Sequence, residues 1–205
     1  MDRRELLKMV ALATGGAMIG GEFLLSGCKN EKSGVVAFKP DDIAFLDEVG
    51  ETIIPTTSSP GAKAAGIGNF MKVMVTDCYT EPDQKAFIDG INQLNEACKK
   101  ENGIGFMQAT PQQRKALLEK IDAEAKAFQK EKNEKEAKLR EEAAKERNKT
   151  IAMSPSHYFT MIKQLTLFGY FTSKPGATEA LRYVAVPGHY DGCMPYKKGD
   201  KAWAT

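Results

Sequence analysis

"SPSHYFTMIKQLTLFG", residues 154–169, carries the strongest apolar stripe in the chain. Phe159, Ile162, Leu165 and Phe168 recur at helical spacing, so one side of a helix must be buried against something. Ser154 and Pro155 supply a start signal and Gly169 a stop. The partners of that helix are to be found upstream.

From Asp41, the residues Ile43, Leu46, Val49, Ile53 and Ile54 repeat near the same period; Asp41 or Asp42 can cap the start, and Pro55 halts the run. "TTSSPGAKAAGIG", residues 56–68, reads as a loop. In "FMKVMVTDCY", residues 70–79, Phe70, Val73, Met74 and either Asp77 or Cys78 fall on adjacent turns; the length leaves helix against strand open, and helix is favoured. Thr80, Pro82 and Asp83 open a clearer helix over residues 82–102, with Phe87, Ile91, Leu94 and Cys98 on one face and Gly103 and Gly105 after it.

Thr110, Pro111 and Gln113 repeat the start signal before a helix of about ten turns. Beyond Lys130, Leu139 is its one large apolar residue. Charges of both signs, paired three or four apart, contribute about 0.2–0.5 kcal/mol each. This stretch is expected as a solvated extension, with a partner-docking arm as the alternative. After Gly169, "GATEALRY" suggests a short helix, and the Gly- and Pro-rich remainder has no strand period. The expected class is all-α: a helical domain over residues 41–205 with a long charged helix and an irregular tail.

The first forty residues read differently. Arg3 and Arg4 precede "MVALATGGAMIGGEFLL", a run too polar and too short for a good membrane span. The pair resembles a twin-arginine export signal, and "LLSGC" resembles a bacterial lipobox, with Cys28 the lipidated first residue. Residues 1–27 are then a signal peptide and residues 28–40 a lipidated tether. The alternative for Cys28 is an ordinary buried thiol. Lipidation implies an exported, periplasm-facing protein held on a bacterial membrane. With Cys28 acylated, Cys78, Cys98 and Cys193 allow one bridge and three possible pairings.

Chemistry is sparse. The 29 basic and 27 acidic residues are interleaved, without the basic stripe that nucleic acid requires. There is no G-x-G-x-x-G turn, no phosphate loop and no C-x-x-C-H haem site. His157 and His189 are the only histidines, and Asp41 with Asp42 suit helix capping better than acid–base work. No catalytic, cofactor-binding or metal-ligating residue is assigned.

The C-terminal third is more specific. Gly169, Tyr170, Phe171, Thr172 and Ser173, then Gly176, Leu181 and Tyr183, then Pro187, Gly188, Tyr190, Gly192 and Cys193, with Trp203, resemble the end of the gluconate 2-dehydrogenase subunit 3 family. "LDEVGETIIPTTSSPGAKAAGIGNFM" and "DCY", residues 46–71 and 77–79, resemble its first half. The resemblance implies a non-catalytic small subunit beside a GMC-type large subunit that carries FAD and oxidises a sugar or sugar acid, with a cytochrome c as possible electron acceptor. It also implies export of the folded complex on the small subunit's signal. It suggests a Cys78–Cys193 bridge, which would stabilise by about 2–4 kcal/mol. For the partner interface it suggests Gly169, Tyr170, Phe171, Thr172, Ser173, Tyr183, Pro187, Gly188 and Tyr190, where aromatics offer rigid contact area; the same aromatics could instead close the domain's own core. A stand-alone binding lipoprotein is the second reading of the chain, and a free enzyme using His189 the third.

Overall fold

In the computed structural model, residues 38–145, 154–186, 188–189 and 191–204 are described, all within one compact unit, Val36–Thr205. Arg3, Arg4, Cys28, Pro187, Tyr190 and the end of the charged segment lie outside the described residues. Among the described residues five α-helices follow one another: α1 (Pro40–Ile53), α2 (Ile67–Cys78), α3 (Glu81–Asn102), α4 (Pro111–Lys145) and α5 (Tyr158–Thr172). Short 3₁₀ turns, Lys63–Ala65 and Phe106–Gln108, join neighbours, and a π-type turn, Gly176–Ala180, follows α5. Among the described residues there is no β-strand, as the all-α expectation requires.

Local chemistry sets the helix starts. Asp42 Oδ2 accepts the Lys39 N–H at 2.8 Å, so Asp42 acts from the first turn and Lys39 stands at the cap. At α4 the exchange is reciprocal: Gln113 Oε1 accepts the Thr110 N–H at 2.9 Å, and Thr110 Oγ1 accepts the Gln113 N–H at 3.3 Å. α3 ends at Gly103, whose φ of 73° few side chains tolerate.

The helix that ends the series sits in the middle of it. α5 packs against α1, α2, α3 and α4. Its Phe159, Met161, Ile162, Leu165 and Tyr170 meet Leu46 and Val49 of α1, Ile67, Met71 and Val75 of α2, Phe87, Ile91 and Leu94 of α3, and Leu117 and Ile121 of α4 in one core. α3 approaches closely at Gly90, where a Cβ would run into the Tyr158 ring. Fully burying such side chains contributes about 1.5–3 kcal/mol each, and this layer is what holds the helices together.

A polar staple supports the layer from outside. Arg114 on α4 donates to the carbonyls of Phe106 at 2.9 Å and Met107 at 2.8 Å, and to Glu48 on α1 at 2.6 Å, while its guanidinium lies 5.2 Å from the Phe106 ring centre. Lys63 also bonds Glu48. The hydrogen bond from Lys63, with that from Arg114, holds the Glu48 carboxyl below its ordinary pKa despite the opposing effect of burial.

Two expectations about helix faces and bounds need correction, and a third, the placing of Phe168 on the buried stripe, is overturned by its exposure. α2 turns a different side inward: Ile67, Met71 and Val75 are buried, Phe70 and Met74 half-buried, and Val73 is 56% exposed. The inward residues follow the series 67/71/75, which begins before Phe70 and leaves Phe70, Val73 and Met74 to one side of it. α5 begins at Tyr158 and runs through Gly169 to Thr172, because His157 Nδ1 accepts the Phe159 N–H at 3.2 Å and provides the start. The tail, irregular over most of its length, contains one parallel bridge between Arg182 and Trp203. The expected charged extension of α4 is helical to Lys145, with Leu139 exposed on it and Glu136 buried.

Candidate docking face

The residues proposed as an interface divide into two groups. Gly169, Tyr170 and Ser173 point into the domain. Gly169 faces the Phe70 ring so closely that any Cβ would displace it. Tyr170, 1% exposed, donates its hydroxyl to the Pro60 carbonyl at 2.5 Å and so ties α5 to the loop after α1. Ser173 Oγ donates to the Tyr170 carbonyl at 2.6 Å and accepts the Gly176 N–H at 3.1 Å, closing the end of the helix. These groups are structural in the isolated chain.

Phe171, Thr172, Tyr183 and Gly188 belong to the other group. Phe171 is 43% exposed and Tyr183 54% exposed, and Thr172 and Gly188 lie on the surface. Thr172 returns its hydroxyl to the Phe168 carbonyl at 2.7 Å, and Gly188 adopts a φ of 76°.

Phe171 is part of a second stripe, on the side of α5 opposite the one that the sequence makes evident. Gln164, Leu167, Phe168 and Phe171 fall at i, i+3, i+4 and i+7 on the outward side of α5, and all four are exposed. α5 is therefore apolar on the side facing solvent as well as on the side facing the core. A globular helix ordinarily keeps its outward side polar. Phe168 meets Phe70 of α2 with ring centres 5.8 Å apart, and Val73 lies one turn beyond Phe70 on the same helix. The spacing 164/167/168/171 was the available signal. It was obscured because Phe168 had been assigned to the inward stripe.

The tail forms a separate feature. Arg182 N–H donates to the Ala202 carbonyl at 2.8 Å, and the Arg182 carbonyl accepts the Ala204 N–H at 2.9 Å. The Arg182 guanidinium lies 4.8 Å from the Trp203 ring centre and 3.7 Å from Asp200. This clasp closes the intervening loop at its base, and the loop exposes Tyr183, Val184, Val186, Met194 and Tyr196.

Reactive groups are dispersed. Among the described residues no three His, Cys, Asp or Glu side chains converge as metal ligands. His157 stacks on Tyr158 with ring centres 4.5 Å apart and meets Phe128 edge-on; burial lowers its pKa and keeps Nδ1 free to accept at the start of α5. Burial, with the nearby Glu124 charge, pushes the Tyr158 phenol up to about 12. His189 is exposed on the tail. Cys98 is buried, while Cys78 and Cys193 are exposed free thiols, so the suggested Cys78–Cys193 bridge is absent from this structure. No helix among the described residues is long and apolar enough to cross a membrane.

A family model described as "Gluconate 2-dehydrogenase subunit 3" matches residues 40–188, from the first residue of α1 into the clasped loop. The chain belongs to that family. The family name designates a subunit of a gluconate 2-dehydrogenase, so both the bundle and the exposed stripe of α5 belong to a subunit-3 body. Searches of curated proteins and of solved structures returned no match.

Proposed function

We propose that this chain is the non-catalytic small subunit of a periplasm-facing, FAD-dependent sugar or sugar-acid dehydrogenase complex. The observation that carries the reading is the family match, which takes in all five helices. The sequence has no dinucleotide-binding turn and no haem-attachment motif, so FAD and the sugar site are assigned to a GMC-type large subunit and onward electron transfer to a partner such as a cytochrome c. Arg3 and Arg4 are assigned to export of the assembled, flavin-loaded pair, and Cys28 to its lipid tether.

The test is to tag the chain at Thr205, extract it from host membranes in mild detergent, and record the mass and absorption spectrum of what co-purifies. A stoichiometric partner with a flavin band and sugar-dependent dye reduction supports the reading. A colourless chain recovered alone refutes it and favours a stand-alone binding lipoprotein. Mass spectrometry of the mature N-terminus tests Cys28: a diacyl or triacyl cysteine is expected, and an unprocessed Met1 would remove the tether from the proposal.

A further inference from the structure

We infer that the apolar face shared by α2 and α5, made of Val73, Leu167, Phe168 and Phe171, is the surface that docks on the dehydrogenase subunit. The inference rests on the accessory-subunit reading and adds to it where the contact lies.

First, the face is built to be covered. Val73 is 56%, Leu167 40%, Phe168 54% and Phe171 43% exposed. With large side chains burying about 150–250 Å² each, the four expose on the order of 350 Å². That is the size of the largest apolar patch on an ordinary soluble domain, a patch that is often functional.

Second, the face is rigid. α5 is held by four helices, Tyr170 fixes its last turn to Pro60, and Phe70 supports Phe168 from below. A partner meeting such a surface gives up little conformational entropy in ordering it.

Third, size and charge select the occupant. Obligate homodimer interfaces bury about 2,000–5,000 Å² and resemble a core cut in half, whereas a standard heterologous interface takes about 800 Å² per partner with a central apolar cluster inside a polar rim; here the apolar cluster is bordered by exposed Gln164, Thr172, Lys72 and Asp77. Membrane-surface helices flank their apolar side with Lys and Arg. Here α5 has no charged residue between Lys163 and its end, and Lys163 is engaged by Asp122 at 2.7 Å. On α2, Lys72 and Asp77 are exposed and of opposite sign. A protein partner with an apolar groove fits this face, and the flavoprotein subunit of the same complex is the occupant proposed.

The test uses the full chain and the dehydrogenase subunit that co-purifies with it. Phe168→Asp combined with Phe171→Asp is expected to weaken association at least thirtyfold while the helical melt of the free chain is kept. In Lys99→Ala, changed on α3, association is expected to stay within twofold of wild type. Should the double Asp variant fail to fold, Thr172→Cys gives an independent readout: maleimide labelling at position 172, read by peptide mass spectrometry apart from the exposed Cys78 and Cys193, is expected to fall at least tenfold on complex formation. If the wild type brings down no flavoprotein, the accessory-subunit reading itself fails. If it does bring one down but the Asp variant binds within threefold, or Thr172→Cys labels equally in both states, the docking face lies elsewhere. A wild-type chain that dimerises alone through Phe168 would assign the face to a second copy and overturn the inference.

Discussion

Replacing Tyr170 by Phe deletes one oxygen from a ring that is 1% exposed and leaves its volume in place. That oxygen donates to the Pro60 carbonyl at 2.5 Å, joining positions 110 apart in sequence. A net protein hydrogen bond contributes about 0.5–1.5 kcal/mol, and a buried acceptor left bare costs about 1–3 kcal/mol. Pro60 is half-buried, so water can reach its carbonyl in the variant, and the loss should be about 1 kcal/mol. For a body of about 165 residues this lowers Tm by roughly 2–4 °C. Tyr170→Ala also empties the ring's space and should cost about 3–5 kcal/mol. Both variants are read by far-UV melts and urea titration of the full-length protein, alongside binding to the dehydrogenase subunit proposed above as its partner. The Phe variant is expected to bind within twofold of wild type once folded. A Phe variant with unchanged stability but weakened binding would refute the reasoning, because the hydroxyl would then serve the partner and not Pro60.

Other consequences can be checked separately. Glu48→Gln should destabilise by about 1–2 kcal/mol at pH 7, since it weakens the charged bonds to Lys63 and Arg114. The Glu48 pKa is lowered on folding, so its contribution is present above the unfolded glutamate value and disappears as pH falls through the folded one; urea midpoints of wild type and variant should converge in acid. The His157 pKa is also lowered, so its contribution is present above the unfolded imidazole value and lost as pH falls through the folded one; His157→Asn, which retains a capping acceptor, should flatten that part of the pH–stability curve. Arg182→Ala should leave the global melt within 1 °C but speed proteolytic cutting between residues 183 and 202, because an exposed cation–π contact contributes only about 0.5–1 kcal/mol. In reduced native protein, Cys78 and Cys193 should react with a thiol reagent and Cys98 only after unfolding.

What could be read in advance followed the strength of the local signals. At α3, a capping Thr, Pro82 in the first turn, a repeating face and a closing Gly all agreed, and Phe87, Ile91, Leu94 and Cys98 are indeed buried. At α2 a start at Phe70 left out Ile67, the first member of the buried series Ile67, Met71 and Val75; without it the set Phe70, Val73 and Met74 looked like the inward face. Gly169 was read as a stop because glycine disfavours helix. Its helical position comes from the Phe70 ring of another element, which no local pattern contains. The "GYFTS" motif was identified, but its inward and outward residues alternate along a helix that was expected to have ended. The clasp joins Arg182 to Trp203 across a loop without periodicity, and such pairings are legible only in three dimensions.

The place of α5 in the chain has a consequence for biosynthesis. α1 is complete at residue 53, yet the surface it packs on is not finished until residue 172. At roughly 5–20 residues per second, a ribosome needs on the order of ten seconds to cover that interval. Throughout it, the inner sides of four helices wait without their common partner, and long-range closure of this kind is slow. Until α5 has been made there is no closed body, and the four earlier helices carry apolar surface that can aggregate, so closure of this fold comes late in synthesis and depends on the last helix of the series.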